Sequence, residues 1–391
     1  MNLVQDKLDV KSKKRANLFN WRGQFTPEFV EYIISSSRLE SDALISDPFA
    51  GSGTVLIESA VKGFSSVGYE INPAAYQMAC FYKYSTLNIA ERNELLFTIE
   101  RKLSQVLSNL NGQKVFIDLP DYRASYKGLI DVSKTLKSIS NSETLPFFMN
   151  MLFLSEKDKK MTVYESLRRS LNYLKKSLLN LPFCDVDIKV HNSDARSISV
   201  QYPEKTDLIL TSPPYINVFN YHQNYRAVTE SFGYDILGVA HSEFGSNRKN
   251  RGNRLLTVVQ YCLDMESSIN SFWHTLKDTG KLVMVVGRES NVRKTPFYNG
   301  EIVEELITKM GGYGLIGKEE RSFSNKFGQM IFEDILIFEK RKNSSPIPKN
   351  AFIIAEKHLK RAELIAPKEV LNDFKDVFVK LNNVKPSPIF K

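Results

Sequence analysis

The sequence of 391 residues predicts an α/β protein with a mostly parallel sheet, helices on both faces of that sheet, and an inserted, mostly helical subdomain. Short apolar runs that end at turn residues alternate with stretches of helical spacing, which is the pattern of βαβ units. The predicted strands lie at residues 43–45, 66–70, 186–190, 206–211, 280–287 and 333–339. Residues 85–185 separate the second strand from the third, and a block of roughly 100 residues is too long for a loop in a compact domain. Helical periodicity at 91–110 and 161–181 therefore predicts the inserted subdomain.

The first predicted strand leads into a glycine-rich turn that suits a small polar ligand. The Asp47-Pro48 pair ends the strand, because proline lacks the N–H that ladder pairing needs. Gly51 and Gly53 then let the backbone turn tightly and approach a ligand closely. Apolar residues at helical spacing follow from Thr54, so a helix begins at the turn with free backbone N–H groups. A tight turn in any other α/β domain is the alternative interpretation.

A carboxylate follows the second predicted strand. This strand ends at Glu70, 17 residues after Gly53, where a carboxylate can accept two hydrogen bonds from a ribose diol in a dinucleotide-binding fold. The glycine turn does not follow the G-x-G-x-x-G pattern, and the Asp-Pro-Phe that precedes it is not typical of nicotinamide sites. The residues therefore favour a Rossmann-like site that is not of the nicotinamide type.

Two motifs together resemble a known family. Residues 47–54, Asp-Pro-Phe-Ala-Gly-Ser-Gly-Thr, match the D-P-F-x-G-S-G-T turn of S-adenosylmethionine-dependent, amino-directed DNA methyltransferases. Ser212–Tyr215 matches the [DNS]-P-P-[YFW] tetrapeptide of the same family. The resemblance covers about residues 17–80 and 186–340. It implies a Rossmann-like methyltransferase fold, S-adenosyl-L-methionine as the cofactor, and double-stranded DNA as the partner.

The resemblance also bears on the target base and on the biological role. In the family, serine in first place of the tetrapeptide is more typical of cytosine-N4 than of adenine-N6 enzymes, but no property of these residues excludes adenine. A restriction-modification or related defence system is implied as well, with a cognate restriction endonuclease as a candidate partner. Two further alternatives stay open. One is a tRNA guanine-N2 methyltransferase, which would need an amino-terminal RNA-binding module, and the other is a nucleic-acid binder on an inactive methyltransferase fold.

Cofactor contacts outside the glycine turn are also implied by the resemblance. An aromatic segment that ends at Thr26 and Pro27 is similar to the family motif that closes over the methionine part of the cofactor, although an ordinary capped helix would look the same. Asp194 follows the third predicted strand, where the family has an acidic residue that contacts the adenine ring; capping of a turn is the alternative. The cofactor-binding candidates are Phe19, Trp21, Thr26, Asp47, Pro48, Phe49, Gly51, Gly53, Thr54, Glu70, Asn72, Asp194 and Ala195.

The Ser-Pro-Pro-Tyr tetrapeptide carries the predicted chemistry. An exocyclic amino group is a poor nucleophile because its lone pair is delocalised into the base, so the protein must position the group and redirect the lone pair toward an activated methyl. The Ser212 hydroxyl and the Pro213 carbonyl can accept the two amino hydrogens, and Tyr215 offers a flat face to an extruded base. Prolines that merely end a strand are the alternative. The catalytic candidates are Ser212, Pro213, Pro214 and Tyr215.

A net charge of +9 is compatible with a polyanionic partner. The basic loop 244–254 would contact phosphates, and aromatic residues after the tetrapeptide would line the base pocket. A solvated loop and core aromatics are the alternative for each single residue. The DNA-binding candidates are Tyr221, Tyr225, Arg248, Lys249, Arg251 and Arg254, with Phe219 as a further aromatic of the same kind.

Composition argues against several classes of protein. No apolar run approaches the length of about 18 residues that a transmembrane helix needs, and the amino terminus lacks the apolar core of a signal peptide. Three scattered cysteines and five dispersed histidines favour a cytoplasmic location and argue against a metal site. The expected divisions are a flexible basic N-terminus (1–16), a catalytic domain (17–84 and 186–340), an inserted helical subdomain that is the candidate target-recognition module (85–185), and a basic C-terminal extension (341–391).

Overall fold

A seven-stranded sheet forms the centre of the computed structural model. The structure describes residues 1, 3–11, 14–113, 122–158, 161–201, 205–216, 220–245, 252–324 and 328–390. The strands are β1 (Leu44–Asp47), β2 (Ser65–Tyr69), β3 (Ile188–His191), β4 (Thr206–Thr211), β5 (Leu276–Gly287), β6 (Glu289–Val292), β7 (Thr295–Tyr298), β8 (Tyr313–Ser324) and β9 (Met330–Lys340). The sheet has the order β3-β2-β1-β4-β5-β9-β8, and β6 and β7 form a separate hairpin.

The direction of the strands brings several strand ends to one edge. Neighbouring strands from β3 to β5 are parallel, whereas β9 runs antiparallel to both β5 and β8. The prediction of a mostly parallel sheet is therefore confirmed. Because the carboxyl ends of β1, β2, β3, β4 and β5 meet at the same edge, the residues that follow these strands lie close together.

Helices cover both faces of the sheet, as predicted. They are α1 (Gln5–Leu8), α2 (Pro27–Ser36), α3 (Thr54–Val61), α4 (Pro73–Phe81), α5 (Ile89–Leu110), α6 (Tyr122–Ile139), α7 (Leu145–Glu156), α8 (Val163–Leu179), α9 (Ile198–Gln201), α10 (Arg226–Ser231), α11 (Ile236–Ser242), α12 (Leu256–Thr275), α13 (Asn299–Met310), α14 (Ala351–Glu363) and α15 (Leu371–Lys380). Within the described ranges, none of them is long and apolar enough to cross a membrane.

The two faces of the sheet are held by separate apolar clusters. Successive residues of a strand point to opposite faces, so Val283 and Val285 of β5 pack with α2, whereas Leu282 and Met284 pack with α12 and α13. All four side chains are fully buried, and each such side chain stabilises the fold by about 1.5–3 kcal/mol. The sheet edge that carries the two motifs therefore rests on a well-packed base.

Helices α5 to α8 occupy most of the segment 85–185, between α4 and β3. Helix α7 is apolar and buried, with Phe147 and Phe148 fully buried, and it packs on α4 and α8. The guanidinium of Arg92 in α5 is buried and donates to carbonyls from both ends of the segment, among them Ser85 (3.2 Å) and Pro182 (2.9 Å). Since a buried donor set of this kind needs acceptors, Arg92 holds the two ends of the helical segment together.

The amino-terminal segment is packed where the structure describes it. Residues 1–16 are expected from their composition to be flexible, but Leu8 in α1 is 1% exposed and belongs to the cluster around α2. The backbone N–H of Val4 donates to Tyr32 Oη at 2.7 Å. The described part of the segment thus contacts the core through Leu8, with Met1, Leu3 and Val10 packed beside it, and its flexibility stays a prediction.

The carboxyl-terminal segment is also packed. Helices α14 and α15 bury Leu359 and Phe374 in the same cluster as α12 and α13. The basic extension at 341–391 is thus, over its described residues, part of the core on one face of the sheet.

Candidate functional site

The glycine turn and the Ser-Pro-Pro-Tyr tetrapeptide lie side by side at one edge of the sheet. Strands β1 and β4 are parallel neighbours, with Ile45 opposite Leu208. Where both strands end, Thr211 Oγ1 donates a hydrogen bond of 2.6 Å to Asp47 Oδ1. Residues from both motifs line the same cavity. The fold therefore places the two segments against each other although they are far apart in the chain.

Positive φ angles at both glycines shape the turn. Gly51 has a φ of 52° and Gly53 a φ of 91°, the left-handed region that glycine adopts at little cost. A Cβ on Gly53 would lie 2.9 Å from the Cα of Ala79 in α4, and a Cβ on Gly51 would lie 3.2 Å from the Trp21 ring. The turn requires glycine at Gly53 for packing and at Gly51 to leave the cavity open beside Trp21.

Glu70 and the glycine turn form one hydrogen-bonded unit. The Gly51 N–H donates to Glu70 Oε2 at 2.9 Å, and the Asn72 N–H donates to Glu70 Oε1 at 2.7 Å. Burial raises the pKa of Glu70 to about 7, against the lowering effect of these two backbone donors. The carboxylate lines the cavity at the end of β2, the position predicted for a ribose-binding group.

Asn72 supplies a donor that has no protein partner. Its Oδ1 accepts from the Ala74 N–H at 3.0 Å and so caps α4, while its Nδ2 is buried and makes no hydrogen bond within the described protein. Asn72 is 2% exposed and lines the cavity. Because buried polar groups are nearly always hydrogen-bonded, this amide is available to a ligand.

The segment 17–27 covers the glycine turn. Thr54 Oγ1 donates to Asn17 Oδ1 at 3.1 Å, and Ser52 Oγ donates to Gln24 Oε1 at 2.7 Å. Trp21 lines the cavity and stacks on Tyr221, with ring centroids 5.8 Å apart and planes 21° apart. These contacts form an aromatic wall over the turn.

Two predicted residues of this segment lie outside the cavity lining. Phe19 is 3% exposed and packs edge-on against Phe81 at 5.3 Å. Thr26 caps α2 through its backbone conformation, but its side chain makes no capping hydrogen bond. Phe19 belongs to the same apolar cluster as Trp21, whereas Thr26 marks the start of α2.

Asp194 lines the cavity with Ala195, but its carboxylate is already engaged. Oδ1 accepts from Arg196 Nε at 2.9 Å, and Oδ2 accepts from Arg196 Nη2 at 2.5 Å and from the Phe390 N–H at 3.0 Å. Arg196 also pairs with Asp264 at 2.8 Å, whose pKa burial raises to about 6 against the lowering effect of Arg196. The sequence gives no sign that Arg196 and the carboxyl-terminal segment would enclose this carboxylate.

The tetrapeptide forms a corner at the end of β4. Tyr215 lines the cavity, and its ring lies so close to the end of β5 that a Cβ on Gly287 would be 2.5 Å from it. The Tyr215 hydroxyl donates to Glu333 Oε1 at 2.9 Å. Gly287 and Glu333 are absent from the predicted site; both sit at ends of predicted strands, the only signal that could have identified them.

The predicted site residues fall into those that line the common cavity and those that do not. Those that line the common cavity are Trp21, Asp47, Pro48, Phe49, Gly51, Thr54, Glu70, Asn72, Asp194, Ala195, Ser212, Pro213, Pro214, Tyr215 and Tyr221. Phe244 and Glu243, which the sequence analysis does not single out, line it as well. Phe244 packs edge-on against Phe49 at 5.3 Å. Phe19, Thr26 and Gly53 shape the site without lining it.

The DNA-binding candidates are scattered. Tyr225 is 8% exposed and packs in the interior against Phe153 of α7, with ring centroids 4.8 Å apart. Lys157 Nζ lies 4.6 Å from the Tyr225 ring centroid, so in this structure the tyrosine joins α10 to the helical segment. Arg254 is exposed. The other predicted residues, Phe219, Arg248, Lys249 and Arg251, lie outside the described residues.

Comparisons with known proteins agree with the class of site. A family model described as DNA methylase (N6_N4_Mtase) matches residues 3–81, which include the glycine turn and Glu70. The type II methyltransferase M.MjaII of Methanocaldococcus jannaschii is 30% identical over 94 residues, or 24% of this chain and 17% of that protein. The chain thus spans less than a fifth of the length of this curated relative.

Solved structures with a similar course of the chain have low sequence identity to this protein. TrmN from Thermus thermophilus is 11% identical over 82% of this chain and 50% of its own, with a TM-score of 0.34. A SAM-dependent methyltransferase from Methanosarcina mazei is 13% identical over 79% of this chain and 98% of its own, with a TM-score of 0.34. The rRNA methyltransferase aviRa from Streptomyces viridochromogenes is 10% identical over 84% and 93%, with a TM-score of 0.34.

The match to the DNA methylase family supports a relation to N4/N6 DNA methyltransferases and indicates S-adenosylmethionine as the cofactor. The cavity fits that group on its own features. It offers a carboxylate (Glu70), an unpartnered buried amide (Asn72), and a glycine turn whose Cβ-free backbone faces the Trp21 ring.

Proposed function

We propose that this protein transfers a methyl group from S-adenosylmethionine to the exocyclic N4 amino group of cytosine in DNA. The observation that carries the proposal is the common cavity of the glycine turn and the Ser-Pro-Pro-Tyr corner, joined by the Asp47–Thr211 hydrogen bond. Adenine N6 is the alternative acceptor, and it needs the same arrangement. Serine in first place of the tetrapeptide, a feature of the family resemblance, favours cytosine.

The cofactor end of the cavity would be formed by residues at the ends of β2 and β3. Glu70 would accept hydrogen bonds from the ribose hydroxyls and Asn72 Nδ2 would donate one, while Trp21 would cover the methionine part. At the adenine end, the backbone of Asp194 and Ala195 would contact the base, because the Asp194 carboxylate is already paired with Arg196. When bound, S-adenosylmethionine supplies a methyl group made electrophilic by its sulfonium centre.

The acceptor end of the cavity would be formed by the tetrapeptide. The Ser212 hydroxyl and the Pro213 carbonyl would accept the two amino hydrogens of the base and so redirect the nitrogen lone pair toward the methyl. Pro213 and Pro214 have no N–H and a fixed φ, which keeps this carbonyl out of the sheet ladder. The Tyr215 ring would stack on the extruded base and offset part of the cost of base flipping.

DNA would reach the cavity at the edge of the sheet where these segments meet. Arg254 and the basic residues of loop 244–254 would contact phosphates, and Tyr221 would stand beside the flipped base. Residues 85–185 stay our candidate for target recognition, because the helices of this segment share an apolar cluster with Trp21, which lines the cavity. A cytoplasmic role in a restriction-modification or related defence system, with a cognate endonuclease, is part of the same proposal.

The test is to incubate the protein with double-stranded DNA and S-adenosylmethionine labelled on the methyl group, and to digest the DNA to nucleosides. The proposal predicts label in 4-methylcytosine for the wild-type chain and at least about a 100-fold lower rate for Ser212→Ala. Label in 6-methyladenine instead of 4-methylcytosine would identify adenine N6 as the acceptor. Label only in tRNA, supplied in a parallel reaction, or no transfer despite cofactor binding would overturn the proposal.

A further inference from the structure

A carboxylate from a distant strand holds the hydroxyl of Tyr215. Tyr215 Oη donates to Glu333 Oε1 at 2.9 Å, although 118 residues separate them. Glu333 lies at the start of β9, opposite Gly287 in the antiparallel ladder with β5, and Gly287 is the residue against which the Tyr215 ring packs. The paired residues Gly287 and Glu333 therefore fix both the position of the Tyr215 ring and the direction of its hydroxyl.

Arg321 holds this carboxylate in turn. Arg321 and Glu333 are directly paired between β8 and β9, and Arg321 Nε and Nη2 each lie 2.6 Å from Glu333 Oε2. Arg321 is 6% exposed and Glu333 8% exposed. The guanidinium also lies 3.9 Å from the ring centroid of Phe29 in α2. A buried arginine in this position keeps Glu333 as an acceptor.

The orientation of these hydrogen bonds fixes the proton positions at the corner. Burial, followed by the negative charge of Glu333, raises the pKa of Tyr215 well above its usual range, so the phenol keeps its proton. The Tyr215 hydroxyl uses this proton to donate its hydrogen bond to Glu333. Ser212 Oγ lies 3.4 Å from Tyr215 Oη, a long contact in which the serine can then only be the donor. The lone pairs of Ser212 Oγ therefore stay available to accept a hydrogen bond from another group.

We infer that Glu333 and Arg321 are positioning residues that set the hydrogen-bond polarity of the Ser212–Tyr215 corner. Through Tyr215 they turn the Ser212 hydroxyl so that its lone pairs accept a hydrogen from the substrate amino group. They also hold the Tyr215 ring against Gly287 for base stacking. This inference rests on the proposed function, since it assigns the acceptor of an amino hydrogen.

The test is a double-substitution cycle with Glu333→Gln and Tyr215→Phe, read out as kcat and as the dissociation constant of S-adenosylmethionine. Each single substitution is expected to lower kcat by about 10-fold or more, because the corner loses its fixed orientation. Added to Tyr215→Phe, Glu333→Gln should lower kcat by less than about 2-fold, since its effect passes through the hydroxyl that is already gone. Cofactor binding should stay within about 2-fold in all variants.

A second measurement reports on the hydroxyl without catalysis. In protein labelled with carbon-13 at tyrosine Cζ, the signal missing from Tyr215→Phe identifies Tyr215, and Glu333→Gln should shift that signal. Glu304→Gln is the matched control. It removes the carboxylate that pairs with Lys318, which lies on β8 like Arg321. This substitution should change neither the Tyr215 signal nor kcat.

Several outcomes would overturn the inference. They are independent, multiplicative losses in the double variant, full kcat in Tyr215→Phe, or an unshifted Tyr215 signal in Glu333→Gln. If Glu333→Gln does not fold, the apolar pair Glu333→Leu/Arg321→Met leaves no unpaired charge and takes its place in the cycle. Failure of the proposed function is distinct, because wild-type protein would then transfer no methyl group to DNA whatever the variants do.

Discussion

Asp47 is the residue at which the two motifs meet. It is 3% exposed, and its Oδ1 accepts hydrogen bonds from Thr211 Oγ1 and from the Phe49 N–H. Burial raises its pKa to about 7, against the lowering effect of these two donors. The Oδ1 atom of this carboxyl group joins the ends of β1 and β4. Because the group is buried, its ionisation affects the stability of the fold.

We predict that Asp47→Asn flattens the dependence of stability on pH. The folded pKa of Asp47 lies above its unfolded value of 3.8, so the folded state binds more protons between the two values. The free energy of unfolding should therefore fall as the pH rises from about 4 to about 7. Asparagine keeps the acceptor oxygen without ionising, so the fall should be smaller in the variant.

Chemical denaturation of both proteins at pH 5 and pH 7.5 measures this difference. Glu70, whose pKa is also raised to about 7, leaves some dependence on pH in Asp47→Asn. Identical changes in the two proteins would contradict the account of Asp47.

Gly287→Ala should impair turnover and leave cofactor binding intact. The new Cβ would lie 2.5 Å from the Tyr215 ring, so the ring must move from the place where it would stack on the base. We expect kcat to fall by about 100-fold, the effect of a displacement of about 1 Å at a reacting centre. Calorimetry should give a dissociation constant for S-adenosylmethionine within about 2-fold of wild type.

Gly314→Ala, on the edge strand β8, is the control for this substitution. Its Cβ would come no closer than 3.3 Å to another atom, with Arg341 Nε nearest and Glu339 Cγ at 3.8 Å. Wild-type turnover by Gly287→Ala, or equal losses in the two variants, would show that the Tyr215 position is unimportant.

The element that sequence analysis could not connect to the site is the carboxyl-terminal segment. Arg196 donates to the carbonyls of Ser387 at 2.7 Å and Pro388 at 2.8 Å, and the Phe390 N–H donates to Asp194. Asp264 Oδ1 accepts from the Ser387 N–H at 2.8 Å. The segment thus completes a buried ionic cluster that forms one end of the cofactor cavity.

Truncation after Asn383 should therefore weaken cofactor binding. Arg196 would lose two buried acceptors and Asp194 one donor, and hydrogen bonds to charged groups each contribute about 1.5–3 kcal/mol. We expect the dissociation constant for S-adenosylmethionine to rise by about 10-fold and the melting temperature to fall. Ile389→Ala, at a half-exposed side chain of the segment, should leave both unchanged. Wild-type binding by the truncated chain would contradict this role.

Arg92 joins the two ends of the helical segment 85–185. It is 3% exposed and donates to carbonyls at both ends of the segment. Arg92→Met should lower the free energy of unfolding by about 3 kcal/mol, because several buried carbonyls lose their donor. Arg101→Met, at an exposed position of the same helix α5, should cost less than about 0.5 kcal/mol. Denaturant titration compares the two, and equal losses would contradict the role of Arg92.

Local patterns in the sequence predict the parts of the molecule that local chemistry determines. The apolar run before Asp47, the two glycines, and the prolines of the tetrapeptide each act on their own stretch of backbone, so β1, the turn and the corner follow from the residues. Neighbouring motifs at the ends of parallel strands then meet, because the topology of βαβ units brings those ends together.

Contacts that depend on tertiary packing were not predictable. Glu333 reaches Tyr215 across 118 residues, and Phe390 reaches Asp194 across 196 residues. Their meeting depends on β9 lying between β5 and β8 and on the last helices folding back, which no local pattern encodes. Tyr225 is expected at the DNA, but in the structure it is buried against α7. The spacing of aromatic residues is the same for packing as for base contact, so the sequence does not distinguish the two roles.

At the scale of the whole molecule, we propose that one cavity at the carboxyl edge of the sheet serves both cofactor and base. A crystal structure of the protein with S-adenosylhomocysteine, the demethylated product, tests this most directly. We predict its ribose at Glu70 and Asn72 and its sulfur facing the Ser212–Tyr215 corner. Binding at any other place, or no binding at concentrations that saturate known methyltransferases, would contradict the account.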